Sequence, residues 1–139
     1  MSNINWHIKH FNDLTTRTFH DLVALREQVF IVEQNCVYQD VDGKDPESYH
    51  LIGLSDDGIL IATARILPLN INENKIAIGR VVIHADYRKS GLGRVLMNKA
   101  IIEVRNIYGR VPIKVSAQKY LKNFYMIIGQ FILIINLKS

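Results

Sequence analysis

The sequence predicts an α/β fold, an α+β arrangement in which helices cover one mixed, mostly antiparallel sheet with a parallel crossover late in the chain. Three observations predict it. Two β-prone runs flank Asp56-Asp57-Gly58, and an Asp-Gly between apolar runs is a hairpin signal. An apolar stripe at helical spacing (Leu92, Val95, Leu96, Ala100, Val104, Ile107) separates two further strand-like runs, which makes a strand–helix–strand crossover. The 139 residues, 48% hydrophobic and 22% charged, suffice for one domain spanning 1–139 with its own core.

Each element follows from local pattern. Ile4, Trp6 and Ile8 alternate with polar neighbours, the period of a half-buried strand. Thr18 with Asp21 three residues on predicts a capping box that opens a helix. Phe19, Leu22, Val23, Arg26, Val29 and Phe30 continue it on one stripe, with Arg26 the one polar member. From Glu33 to Tyr49 periodicity stops and acids gather, which predicts a long loop or a broken helix. His50 to Ser55 and Ile59 to Leu67 are the hairpin strands, with Pro68 expected to stop the second and Asn70 to Asn74 to form a polar loop. Lys75 to Ile83 is the next strand, and a helix then runs to near Gly109. Val111 to Ala117 follows, parallel to the Lys75 to Ile83 strand. A short helix from about Tyr120 and a strand from Phe131 to Leu137 close the prediction.

Composition excludes disordered and collagen-like classes. A single cysteine, Cys36, forms no internal disulfide and points to a reducing compartment. No signal peptide opens the sequence, and the apolar stretch Phe124 to Leu137 is interrupted and too short to span a bilayer. The expectation is a cytoplasmic protein without a membrane partner. Charge divides sharply: Asp21 to Leu60 carries nine acids and two bases, whereas Ile61 to Ser139 carries three acids and thirteen bases. This split suggests a polyanion site in the second half and a cationic partner admitted by the first. The bases are scattered over several elements without an aromatic stacking strip, so no nucleic-acid partner is expected.

The most informative stretch is the R-x-x-G-x-G turn Arg88-Lys89-Ser90-Gly91-Leu92-Gly93 between a strand and a helix. Glycines let backbone approach an anion closely, and amides from Ser90 to Arg94 would converge at the positive end of a helix dipole. Arg88, Lys89 and Arg94 add full charges, so the turn suits a pyrophosphate. A Walker spacing is absent, and Leu96 stands where a dinucleotide fingerprint needs its third glycine. No metal is expected. Gly43 and Leu51 break a calcium-loop pattern opening at Asp40, and the histidines lack zinc-ligand spacing.

The segment from Arg80 to Met97, which contains this turn, resembles the coenzyme A motif of GNAT N-acetyltransferases. Leu25-Arg26, Val29-Phe30, Val32 to Cys36, Tyr38 to Gly43, Ala117-Gln118 and Asn123-Phe124-Tyr125 resemble, more narrowly, the small ElaA-type branch. The resemblance implies the GNAT acyl-CoA N-acyltransferase fold, acetyl-CoA as cosubstrate, and direct transfer to a primary amine, small or peptidyl. It implies that Val81, Val82 and Ile83 line the pantetheine arm, that Lys89 to Gly93 hold the pyrophosphate, and that Gln118 stands near the pantetheine. Tyr125 matches the family's general acid. Glu33 and His50 are alternative bases, and Asp40, Asp42 and Asp45 would draw a cationic acceptor. An acyl-homoserine-lactone synthase and a catalytically degenerate CoA-binding protein are the other readings. Three departures stand out. Ala85 replaces a usual proline, Gln118 stands where many relatives carry an asparagine, and after Phe131 the sequence carries one closing strand where relatives carry two, so a homodimer through that apolar edge, or poor solubility, is expected.

Overall fold

The computed structural model describes residues 3–70, 75–118 and 132–138. Six strands form one sheet in chain order: β1 (Asn5–His10), β2 (Tyr49–Leu54), β3 (Leu60–Asn70), β4 (Lys75–Ile83), β5 (Ile113–Gln118) and β6 (Ile132–Lys138). The first four pair antiparallel; β5 joins β4 and β6 joins β5 in parallel. Helix α1 (Thr16–Glu27) precedes β2, and α2 (Leu92–Tyr108) makes the crossover from β4 to β5.

Strand alternation sends side chains to two cores, one on each face of the sheet. On one face Leu92, Leu96, Met97, Ala100 and Val104 of α2 pack on Ile66, Ile78, Val81, Ile83 and Val115. On the other, Leu22, Leu25, Val29 and Phe30 pack on Ile52, Leu60 and Val82. Consecutive residues Val81, Val82 and Ile83 therefore serve alternate faces, which is why all three are apolar. Where β1 crosses β2, Trp6 lies opposite Gly53, and a Cβ there would stand 2.8 Å from the indole. The glycine makes room for the ring.

Three local expectations are corrected. Thr15, not Thr18, caps α1: its extended backbone lets its side chain accept the Thr18 N–H at 3.0 Å, while Thr18 is already helical. Beyond Glu27 the helix continues as a wider π-helix, Gln28–Glu33, that keeps Val29 and Phe30 buried. Pro68 lies within β3 opposite Ile76. Pairing with β2 ends at Ile66, so one edge of β3 is open at the proline and its missing N–H is not needed there. The predicted loop beyond Asn70 and the predicted helix from Tyr120 lie outside the described residues.

Candidate active site

The site is built around a break in the sheet. Between Thr63 and Arg65 of β3 the register advances two residues, while β4 advances three, from Val82 to Gly79. The extra residue is a β-bulge, and Arg80 there takes a positive φ of 49°. Strand β5 pairs with β4 only along Ile76, Ala77 and Ile78, so the two strands part at the bulge. The His84 N–H donates to the Ile61 carbonyl at 2.7 Å, and alternation then turns Val82 toward β3. The backbone groups of Val81 and Ile83 face the opening gap instead, so of the three residues expected beside the pantetheine arm Val82 is directed away from it.

At the far end of that gap lies the turn. A 3-10 segment, Ala85–Ser90, leads into Gly91, whose φ of 73° and ψ of 15° are left-handed and suited to glycine. The Val95 N–H donates to the Gly91 carbonyl at 3.4 Å, which sets the N–H groups of Leu92 and Gly93 at the open N-terminal end of α2. Lys89 and Ser90 complete the bend. Arg88 turns back across the mouth of the gap. Its Nε donates to the Ile83 carbonyl at 3.0 Å and its two Nη groups grip the Glu33 carboxylate, one at 2.9 Å. Sequence reasoning named Arg88 and Glu33 separately, one for phosphate and one as a base; the fold joins them.

The acids of residues 40–45 behave differently from expectation. Arg26, fully buried, sends Nε to Asp40 at 2.9 Å and Nη1 to Asp45 at 2.8 Å. Its Nη2 bonds the Asp40 carbonyl and the second Asp45 oxygen, both at 3.1 Å. Arg65 holds Asp42 in two-point fashion at 2.9 and 3.0 Å and reaches Asp45 at 3.2 Å. Arg80 lies 2.9 Å from Asp40, bonds its carbonyl and Asp42, and stacks over Tyr38. Three arginines from α1, β3 and the bulge thus neutralise three aspartates and lash the 38–45 segment onto the sheet.

Two sequence expectations are revised by this cluster. Asp40 and Asp45 are buried and committed to arginine, so neither offers free charge to a cationic acceptor; only Asp42 is partly exposed. His50 is 1% exposed, edge-on to Phe19, with Nε2 on the Asp45 carbonyl at 3.2 Å. It supports the cluster from inside the core. Gln118 ends β5 on the far side of the gap, and Tyr125 lies outside the described residues.

The cluster sets an acid-side stability profile. Burial alone would raise Asp42, but the Arg65 hydrogen bond, the Lys44 N–H and the charges of Arg65 and Arg80 outweigh it and hold the carboxyl at about 2. Burial likewise opposes the charge of Asp45, and Arg26 and Arg65 overcome it, leaving its carboxyl below the usual value. Burial pushes His50 below its ordinary 6.5. A folded value below the unfolded one gives stability that is present above the unfolded value and lost as pH falls. The urea midpoint should therefore fall in two steps on acidification, the first below 6.5 from His50 and the second below 3.8 from the aspartates. Asp42→Asn should flatten the second step, and a midpoint constant from about pH 7 to pH 3 would contradict the profile.

Among the described residues, no helix is long and apolar enough to cross a membrane and no side-chain group could hold a metal ion. The profile of the Acetyltransferase (GNAT) family matches residues 10–126. A UPF0039 protein of Synechocystis is 37% identical over 126 residues, 91% of this chain and 82% of that protein. The crystal structure of Escherichia coli ElaA is 36% identical with a TM-score of 0.82, covering 88% of this chain and 84% of that one. An acyl-CoA N-acyltransferase from Pseudomonas aeruginosa is 38% identical with a TM-score of 0.81, covering 88% and 85%. With the family match over residues 10–126 and relatives above 35% identity over most of both chains, the chain belongs to the GNAT acetyltransferase family, beside ElaA.

Proposed function

We propose that the protein transfers the acetyl group of acetyl-CoA to a primary amine, directly and within a ternary complex. One observation carries the reading: the gap between β4 and β5 runs from the glycine turn to the bulge, and β5 does not pair with the β4 backbone along it. The N–H groups of Leu92 and Gly93 suit the pyrophosphate, aided by the positive end of α2. Backbone of Val81 and Ile83 suits the amides of the pantetheine arm. An arm laid that way brings its thioester to Gly79 and Arg80, where β4 and β5 rejoin. A GNAT-fold acetyltransferase of Clostridium acetobutylicum, 18% identical with a TM-score of 0.64, was solved with acetyl-CoA.

In the reaction the amine lone pair attacks the thioester carbonyl, the C–N bond forms and the C–S bond breaks. The amine loses a proton and the departing thiolate gains one, from the Tyr125 phenol in this reading. Glu33 takes the amine proton, directly or through water. Arg88 links this step to binding, because a CoA phosphate that draws its guanidinium away releases the Glu33 carboxylate.

Calorimetric titration with CoA tests the reading: a saturable heat is expected, and its absence ends the proposal. Gly91→Val should weaken that binding about tenfold, because a β-branched residue at positive φ strains the turn by about 1–2 kcal/mol. CoA binding without thiol release on an amine panel would identify a degenerate binding protein instead.

A further inference from the structure

We infer that the amine acceptor is small and carries an anionic group, a carboxylate or a phosphate, held by a basic pocket on the sheet face opposite α2. The inference rests on the acetyltransferase reading above and adds the substrate class to it. The pocket measures about 200 Å³ and opens beside Gly79 and the bulge, where the β4–β5 gap begins. Lys44, Arg65, Arg80 and Lys114 ring it, over Leu67 and Leu69 of β3. No acidic side chain lines it among the described residues.

Its placement follows from strand alternation. Ile76 and Ile78 of β4 and Ile113 and Val115 of β5 point into the α2 core. Ala77, Gly79 and Lys114 therefore face the other way, along with Arg65 and the two leucines. Residues of the 38–45 segment, held down by the buried cluster, bring Lys44 to the rim. An arm running from the glycine turn to Gly79 would end beside this pocket, so an acceptor seated there has its nitrogen next to the thioester.

The charge balance decides the ligand. Arg26, Arg65 and Arg80 are matched by Asp40, Asp42 and Asp45. Lys44 and Lys114 remain as surplus positive charge, and no described acid lies within ion-pair distance of either. Arg65 and Arg80 line the wall, at 7% and 15% side-chain exposure. A cationic acceptor would be repelled, whereas an amine with an anionic group one or two carbons away gains a charge-assisted contact. The same positive surroundings lower the pKa of the bound ammonium and favour the neutral amine needed for attack. The volume admits an amino-acid-sized molecule and is below the roughly 300–1,000 Å³ of pockets for larger ligands.

The test compares acceptors matched in size: 3-aminopropanoate against propylamine, O-phosphoethanolamine against ethanolamine, and 1,3-diaminopropane as the cationic control. Thiol release should give the two anionic amines a kcat/KM at least about tenfold above their neutral partners and above the diamine. Lys114→Glu, with CoA affinity as the check on folding, should erase or invert that advantage. Equal use of the pairs, preference for the diamine, or an advantage untouched in Lys114→Glu overturns the inference while leaving CoA binding and the acetyltransferase reading in place. An equilibrium arm needs no turnover: N-acetyl-3-aminopropanoate titrated into CoA-saturated protein should bind to the wild type and not to Lys114→Glu. Identical behaviour of the two proteins overturns the inference as well. Loss of CoA binding in the wild type would strike the enzymatic reading itself, and the two failures are therefore distinct.

Discussion

Arg26→Ala is expected to destabilise the protein by about 3–5 kcal/mol and to lower its melting temperature by roughly 10–20 °C. The guanidinium has no solvent exposure and makes four hydrogen bonds, to both oxygens of Asp45 and to the carboxylate and carbonyl of Asp40. Its removal strands two carboxylates inside the protein. Asp40 keeps Arg80 and Asp45 keeps Arg65, which limits the loss but does not cancel it. Two further variants separate charge from packing. Arg26→Met restores much of the volume without the charge and should remain nearly as unstable as alanine. Arg26→Lys keeps the charge but loses the planar fork that serves two acids at once, and should fall between. Urea denaturation of the three proteins decides it. A loss under about 1 kcal/mol for alanine, or full recovery with methionine, would show that the cluster is filler rather than a clasp.

The clasp also explains which parts of the molecule could be read from sequence. Strand β4 and helix α2 match their expected spans closely because their signals are local: apolar runs, a helical stripe, and Gly109 at a φ of 81° to end the helix. The glycine turn was legible for the same reason, since Gly91 alone demands the left-handed conformation. The cluster was not. Its partners lie 14 to 40 positions apart, and a tally of charge by segment placed the acids on a surface facing a cationic substrate. One clue pointed inward, namely Arg26 within an apolar stripe, where a buried arginine requires buried acids. The bulge at Arg80 had no comparable signal, because its strained φ arises from pairing with β3 rather than from residue type. Once the acids are internal, the polarity expected of the acceptor reverses. The side chains left at the pocket are basic, and a charge split that looked like two binding surfaces is partly one internal neutralisation.

Tyr125→Phe should lower kcat by about 10²–10³-fold while CoA affinity stays within twofold of wild type. The assignment rests on the resemblance of Asn123-Phe124-Tyr125 to the GNAT pattern and on the needs of the leaving group. A thiolate expelled from a thioester takes up a proton near pH 7, and a phenol with an ordinary pKa near 10 is protonated there and able to donate. Its proton matters only in the step that breaks the C–S bond, so the loss belongs in kcat rather than in binding. The leaving group offers a sharper discrimination than rate alone. p-Nitrophenyl acetate expels an anion that needs no proton, so the phenylalanine variant should acetylate an amine from that donor at nearly the wild-type rate. A tyrosine that merely packs would reduce both donors alike. Equal losses with acetyl-CoA and with the ester would therefore remove Tyr125 from the chemistry, and the proton would have to reach the sulfur from water or from the attacking ammonium.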